Sequence, residues 1–144
     1  MLRAVADTNT VVSGLLYRGS ERALLEAARA GRFALYTSAV LLAELVEVLP
    51  RAKFATRIAA ADMSVARIVR RYARLATRIV PARTGPIVPG DPDDDAVLAC
   101  ALAARADLVV SGDKRLRNLK SWQRIPIVSA IDALEIIARS RSDP

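Results

Sequence analysis

Short apolar runs alternate with segments of helical character along most of this chain, and this alternation limits the folds that the chain can adopt. Such a pattern is typical of an α/β protein with a mainly parallel sheet. The length of 144 residues matches the commonest size of one domain, so we predict a single domain over residues 1–144. We expect about five strands, at Leu2–Ala6, Phe33–Tyr36, Thr77–Val80, Leu108–Ser111 and Pro126–Ser129.

Capping residues and helix breakers predict where helices connect these strands. Gly31 and Pro50 are expected to end the first two helices. Residues 81–92 contain four prolines and two glycines, which predicts a loop. The predicted helices run from Ser20 to Ala28, from Thr37 or Ser38 to Leu49, from Asp62 to about Ala76, from one of Asp93, Asp94 and Asp95 to about Ala104, and from Ser129 or Ala130 to about Arg139.

The composition excludes several kinds of catalytic site. The chain has no histidine and one cysteine, Cys100, so histidine bases, cysteine–histidine pairs and the usual zinc sites are excluded. Carboxylates remain available, and they prefer hard cations such as Mg²⁺ and Mn²⁺. A lone cysteine forms no internal disulfide, and we find neither a signal-peptide pattern nor an apolar run of ~20 residues. We therefore expect a cytoplasmic protein without a membrane partner.

The positive charge is concentrated in one segment. The net charge is +7, and residues 51–83 hold nine basic residues and one acid, Asp62, for a net +8. The remainder of the chain therefore sums to −1. On the predicted helix after Asp62, apolar residues at helical spacing mark a core face. The opposite face carries Arg67, Arg70, Arg71 and Arg74, a set that we call the arginine stripe and expect to bind RNA phosphates or an acidic protein partner.

Acidic residues fall where parallel strands are predicted to end. Asp7 follows the first strand, Asp113 follows the strand that ends at Ser111, and further aspartates lie at a loop-to-helix junction. Ligands of open α/β sheets bind beyond the carboxyl ends of the strands, so these acids are expected on one rim. Glu44 lies in an otherwise apolar helix, where a partly enclosed charge needs a cation or hydrogen bonds.

Each acid also has a simpler interpretation. Asp7 could begin a turn, Glu44 could lie at the edge of its helix, and Asp113 could be a loop residue. Aspartates at a helix start usually act as caps. A cap needs only one acid, however, whereas residues 91–95 contain four. Converging carboxylates in a chain without histidine favour a hydrolase that holds two cations and cleaves phosphodiesters.

Four segments, in order, resemble the motifs of PIN-domain proteins and cover nearly the whole chain. The resemblance implies a twisted parallel sheet flanked by helices, Mg²⁺ or Mn²⁺, homodimers and an RNA substrate. It assigns the catalytic metal ligands to Asp7, Glu44, Asp95 and Asp113, with Asp94 as the rival to Asp95. The subgroup that the chain most resembles is the VapC-like toxins of toxin–antitoxin systems, which implies a cognate antitoxin. The segments are Asp7–Gly14, Ser38–Leu45 followed by Val48, Leu49, Lys53 and Phe54, Asp93–Ala101 and Ala106–Asp113.

We therefore predict a metal-dependent endoribonuclease that is the toxin of such a pair. Two alternatives remain: a non-catalytic nucleic-acid-binding α/β module, and a structure-specific DNA nuclease that uses the same acids. Phosphatases that place Asp-x-Asp after the first strand are excluded because Asn9 replaces the second acid. Receiver domains are excluded because no acidic pair precedes the end of that strand. A second candidate RNA path is formed by Lys114, Arg115, Arg117 and Lys120.

Overall fold

The computed structural model describes residues 1–88 and 91–142, and these residues form an α/β fold. The described part contains a six-stranded sheet in the order β3-β2-β1-β4-β6-β5. Neighbouring strands are parallel except for β5 and β6, which pair as an antiparallel hairpin. The strands are β1 (Arg3–Ala6), β2 (Ala34–Thr37), β3 (Thr77–Arg78), β4 (Leu108–Val110), β5 (Ser121–Trp122) and β6 (Ile125–Val128). The predicted fold class is confirmed.

Helices connect the strands along the described chain. Residues 81–88 form neither helix nor strand, as predicted for this loop, whereas residues 89 and 90 lie outside the described residues. The helices are α1 (Thr8–Leu16), α2 (Ser20–Arg29), α3 (Ala39–Val48), α4 (Ala52–Ala60), α5 (Val65–Leu75), α6 (Pro92–Ala104), α7 (Lys114–Arg117) and α8 (Ala130–Ser142).

Two apolar clusters form the core, one on each face of the sheet. Successive residues of a strand point to opposite faces, so Ala4 and Ala6 join one cluster and Val5 joins the other. In β4, Val110 joins the first cluster and Val109 joins the second. The first cluster is completed mainly by α1–α5 and α8, and the second mainly by α6 and α7. Burial on both faces explains why the strands are short continuous apolar runs.

Two helix starts differ from the prediction. Helix α5 begins after Ser64, whose hydroxyl accepts a hydrogen bond from the backbone amide of Arg67 at 3.2 Å. Asp62 instead has a φ of 52°, which is incompatible with the first turn of that helix. Helix α6 is capped by Asp91 rather than by one of the three aspartates that follow, because Pro92 occupies its first turn. Helices α1, α4 and α7 and strand β5 were not among the predicted elements.

The strand order places β1 and β4 side by side in the middle of the sheet. From β1 the chain passes through α1 and α2 to β2 on one side, and β4 lies on the other side of β1. Both strands point the same way, and the backbone amide of Asp7 donates to the carbonyl of Val110 at 3.0 Å. The residues that follow β1 and β4 therefore meet at one rim. Within the described residues, no helix combines the length and apolar character needed to cross a membrane.

Candidate metal centre

Asp7 is a buried acid held by two hydrogen bonds. It caps α1, where its Oδ1 accepts from the backbone amide of Thr10 at 2.9 Å, and its Oδ2 accepts from the hydroxyl of Ser111. Burial raises the pKa of Asp7, hydrogen bonds from Ser111 and Thr10 lower it, and the charge of Asp113 raises it further. Asp7 thus caps α1 through one oxygen and binds the residue after β4 through the other, and it is not among the described acids whose carboxylate oxygens approach one another within 4.8 Å.

Ser111 connects the acids that follow β1 and β4. Its side chain is fully buried, its hydroxyl donates to Asp7, and its oxygen accepts from the backbone amide of Asp113 at 3.0 Å. Asp113 in turn caps α7 by accepting from the backbone amide of Arg115 at 2.8 Å. From the sequence alone, Asp113 was assigned a role and Ser111 was not. The hydroxyl two residues before Asp113 was the available signal.

Asp91, Asp94 and Asp113 form the closest group of acids in the described structure. One carboxylate oxygen from each lies within 4.8 Å of the others. Asp91 accepts from the backbone amide of Asp94 at 3.1 Å, which fixes both at the start of α6. Asp94 is only 6% exposed, and its Oδ2 has no hydrogen-bond partner. Burial, followed by the charge of Asp91 and a hydrogen bond between the two carboxyl groups, raises the pKa of Asp94 to about 7, so Oδ2 lacks a partner only when Asp94 is ionised.

Asp95 is not brought into this group. Its Oδ1 accepts from the backbone amides of Ile87 at 3.0 Å and Val88 at 2.7 Å, so it joins the preceding loop to α6. Consecutive residues of a helix project about 100° apart, and Asp94 is the one that projects toward Asp113. The geometry therefore favours Asp94 over Asp95, the reverse of the preference drawn from the sequence.

Glu44 contributes a further acid from α3. It is half-buried, as predicted from its apolar surroundings, and the Thr8 hydroxyl donates to its carboxylate. Burial raises the pKa of Glu44, and the charges of Asp93, Asp7 and Asp91 raise it further. Glu44 therefore lies within electrostatic reach of Asp7 and Asp91, although it is not part of the group within 4.8 Å.

These acids fit a divalent cation. All offered ligands are carboxylate oxygens, which suit Mg²⁺ and Mn²⁺. The buried Asp94 Oδ2 lacks a partner in the protein, and a cation would supply one. A cation would also relieve the mutual repulsion that raises the carboxyl pKa values. Cys100 offers no alternative nucleophile, because burial raises the pKa of its thiol to about 11.

Comparison with known proteins agrees with this architecture. The PIN domain family model matches residues 3–115, which include β1 through β4 and every acid described above. The chain belongs to the PIN domain family. PIN domains are generally nucleases, which are hydrolases, and they usually use a divalent metal. No curated protein matches the chain.

The arginine stripe of this PIN domain lies on α5. All four of its arginines are exposed, whereas Ile68 and Tyr72 on the other side of the helix are buried, as predicted. Arg71 and Arg74 line an open groove of about 730 Å³ between α5 and the α1–α2 pair. The opposite wall carries Arg22 and Arg29, which our sequence interpretation missed because they lie on a different helix. The groove also has Glu26 and an apolar lining from Leu15, Leu25, Ala28, Met63, Ile68 and Leu75.

A second group of basic residues lies directly beside the acids. Lys114, Arg115 and Lys120 are exposed, and Arg117 is half-buried. A guanidinium nitrogen of Arg115 lies 3.9 Å from the Oδ2 of Asp91. Positive charge therefore borders the acid group of this PIN domain at the side where α7 begins.

Proposed function

We propose that this protein is a divalent-metal-dependent endoribonuclease. The observation that supports it most is the group of Asp91, Asp94 and Asp113, whose buried Asp94 oxygen has no partner, at the β1–β4 rim of a PIN domain. We assign the metal ligands to Asp7, Glu44, Asp94 and Asp113, and we assign Asp91 the role of capping α6 and holding the backbone amide of Asp94. Asp94 takes the place that the sequence preference gave to Asp95, because Asp95 binds two backbone amides of the preceding loop.

Hydrolysis of an RNA phosphodiester adds a water oxygen to phosphorus and breaks one bond from phosphorus to a ribose oxygen. The electron pair of that bond stays on the leaving oxygen, which takes up a proton. A bound Mg²⁺ or Mn²⁺ supplies Lewis-acid stabilisation of the charge that develops and lowers the pKa of water. Ser111 keeps Asp7 and Asp113 at a fixed separation, and Thr8 orients Glu44. Asp94 must lose its proton before it can act as a ligand.

Charge supports a catalytic role over a binding module without catalysis. Acidic side chains without bound cations would repel a phosphate backbone. Acids at the rim of a nucleic-acid-binding protein therefore imply that cations bind there. Arginines of the stripe and lysines and arginines near α7 offer phosphate contacts outside the acid group. The DNA nuclease alternative uses the same acids and differs only in substrate.

Incubation of the purified protein with end-labelled single-stranded RNA or DNA tests this proposal. We expect RNA cleavage with Mn²⁺ or Mg²⁺, none with excess EDTA, and none by Asp94→Asn. Asp62→Asn is the matched control, because Asp62 is exposed and lies in the turn before α5. Cleavage of DNA alone would support the DNA nuclease, and cleavage that persists in EDTA would contradict the metal requirement. Binding without cleavage under all conditions would favour the non-catalytic module.

We further propose that the protein is a cytoplasmic toxin that acts as a homodimer and is held inactive by a cognate antitoxin. The resemblance to VapC-like toxins motivates this role. The groove between α5 and the α1–α2 pair supports it, since four arginines border an apolar lining that suits an acidic amphipathic segment. Two exposed valines on α3, Val40 and Val46, offer apolar surface for a second copy.

Expression in a bacterial host tests the toxin role. Induction of the wild-type protein is expected to arrest growth, and induction of Asp94→Asn at equal level is not. Light scattering coupled to size exclusion gives the oligomeric state of the purified protein. Equal growth of the two strains would contradict the toxin role, and a monomer at micromolar concentration would contradict the dimer.

A further inference from the structure

We propose that Tyr72 is a positioning residue for Glu44, one of the four proposed metal ligands. Tyr72 lies on α5, on the interior side of the acids, and it acts through the residues that hold Glu44 in place. This role rests on the proposed nuclease function and adds a residue to it.

Tyr72 lies between the arginine-lined groove and a small cavity. The cavity has a volume of about 10 Å³. Within the part of the chain that the structure describes, Tyr72 alone lines both spaces. Its side chain is buried at 3% exposure, so one side of the residue forms the groove wall and the other faces the interior. The remaining residues around the cavity are Ala6, Thr8, Val11, Thr37, Leu41 and Leu45.

The walls of this cavity include the residues that hold Glu44. The hydroxyl of Thr8, at the start of α1, donates to the Glu44 carboxylate. Leu41 and Leu45 are buried residues of α3 that precede and follow Glu44. Because packed side chains resist displacement, Tyr72 sets the separation of α1 and α3 at the point where Thr8 meets Glu44.

The hydroxyl of Tyr72 attaches this arrangement to the sheet. It forms a hydrogen bond with the side chain of Thr37, the buried last residue of β2. The next residue, Ser38, caps α3, so the hydrogen bond links α5 to the start of the helix that carries Glu44. A buried hydroxyl that loses its partner is costly, which keeps the two side chains together.

The Tyr72 hydroxyl is a neutral hydrogen-bonding group rather than an acid or a base. Burial raises its pKa, electrostatic interactions with Cys100 and Asp7 raise it further, and the hydrogen bond with Thr37 lowers it. The contribution of Asp7 also places the hydroxyl within electrostatic reach of the acids. A ring without the hydroxyl would fill nearly the same space, so removal of the hydroxyl separates positioning from packing.

The test compares Tyr72→Phe with the wild-type protein. Isothermal titration calorimetry gives the affinity for Mn²⁺ without cleavage, and single-stranded RNA gives the Mn²⁺ concentration for half-maximal activity. Tyr17→Phe is the matched control, because it makes the same chemical change at the opposite end of α1. We expect Tyr72→Phe to weaken Mn²⁺ binding by roughly threefold to tenfold, less than the loss of a direct partner of a metal ligand. A purely structural role would lower the melting temperature in EDTA without changing this affinity.

Two further variants show whether the effect passes through Thr37 and Glu44. Thr37→Val removes the partner of the hydroxyl, so it should weaken Mn²⁺ binding to a similar extent and add little when combined with Tyr72→Phe. In a Glu44→Gln background, Tyr72→Phe should leave the remaining Mn²⁺ affinity unchanged, because the ligand that it positions is gone.

A Mn²⁺ affinity of folded Tyr72→Phe within about twofold of the wild type would overturn the inference, as would an equal loss in the Glu44→Gln background. If Tyr72→Phe fails to fold, Thr37→Val provides the same test. If the wild type binds Mn²⁺ but cleaves no RNA, the proposed function fails while calorimetry still decides the role of Tyr72. A wild type that binds no Mn²⁺ would contradict both.

Discussion

Asp94 differs from its neighbours in being buried while one of its carboxylate oxygens lacks a hydrogen-bond partner. We expect Mn²⁺ to raise the melting temperature of the wild-type protein and Asp94→Asn to abolish this rise, because the ligand charge is lost. Asp95→Asn should keep that rise, since an amide oxygen can still accept from the backbone amides of Ile87 and Val88. Calorimetry with and without Mn²⁺ measures both effects. If Asp95→Asn loses the response and Asp94→Asn keeps it, the metal site includes Asp95 instead.

The choice between these two residues shows the limit of sequence interpretation at the residue scale. Both are aspartates in the first turn of one helix, and the motif resemblance accommodates either. The proposed preference for Asp94 depends on the path of residues 87 and 88, whose amides donate to Asp95. That path depends on tertiary packing of a proline-rich loop, which no local pattern in the sequence encodes. The places of Asp7, Glu44 and Asp113 in the fold follow more directly from strand ends and helix periodicity, and their role as ligands remains a prediction.

Titration of Asp94 predicts how the stability of the metal-free protein depends on pH. The pKa of Asp94 is about 7 in the folded protein, against 3.8 for an ordinary aspartate. Between these values the folded state binds the proton and the unfolded state does not, so stability falls as pH rises from about 4 through 7. Melting curves in EDTA should show this fall, and Asp94→Asn should reduce it. A metal-free stability that rises with pH over this interval would contradict the assignment.

At the scale of single elements, α1 and α2 pack closely at Gly14. A methyl group added there would lie 2.6 Å from a side-chain carbon of Leu25 and 2.8 Å from the carbonyl oxygen of Glu21. The carbonyl belongs to the backbone of α2 and cannot move away by a change of rotamer. We therefore expect Gly14→Ala to lower the free energy of unfolding by about 1–2 kcal/mol, because overpacking outweighs the better helix propensity of alanine.

Urea denaturation of Gly14→Ala measures this effect. Gly85→Ala is the matched control, since its added methyl group meets no atom within 4 Å. The control should change stability by less than about 0.5 kcal/mol. Equal stability of the two variants would show that α2 shifts without cost, and the close approach of α1 and α2 would then not constrain the fold.

Some helix boundaries were predictable from capping and breaking residues. Gly31 adopts a φ of 76° after α2, and Ser38 caps α3, both as expected from the sequence. Before α5, Asp62 and Ser64 are both good capping residues, and the sequence offers no reason to prefer Ser64. The turn after α4 decides between them by placing Asp62 in the left-handed region. Helix α4 was missed because most of its residues are exposed and its apolar pattern is weak.

At the scale of the whole molecule, parallel strand direction was enough to predict that the acids share a rim. It was not enough to give the strand order, because alternating strands and helices are compatible with several sheet orders. The order β3-β2-β1-β4-β6-β5 is what puts Asp7 beside the residues that follow β4. The groove could not be predicted from the sequence for the same reason. Its second wall carries Arg22 and Arg29 of α2, which is far from α5 along the chain.

The groove divides the arginine stripe into two pairs and so provides an internal control for RNA binding. Arg71 and Arg74 line the groove, whereas Arg67 and Arg70 do not. If RNA passes through the groove, Arg71→Ala with Arg74→Ala should weaken binding more than Arg67→Ala with Arg70→Ala, although both double variants remove two exposed charges. The slope of log affinity against log salt concentration should flatten by roughly 0.7 for each single-strand phosphate contact that is lost.

Fluorescence anisotropy with labelled RNA in EDTA measures both quantities without cleavage, and melting temperatures check that each variant is folded. Equal losses from the two pairs would indicate that RNA follows the exposed face of α5 instead of the groove. Wild-type affinity and slope in both variants would show that the stripe binds no RNA, and the residues around Lys114 and Lys120 would then be the remaining candidate path.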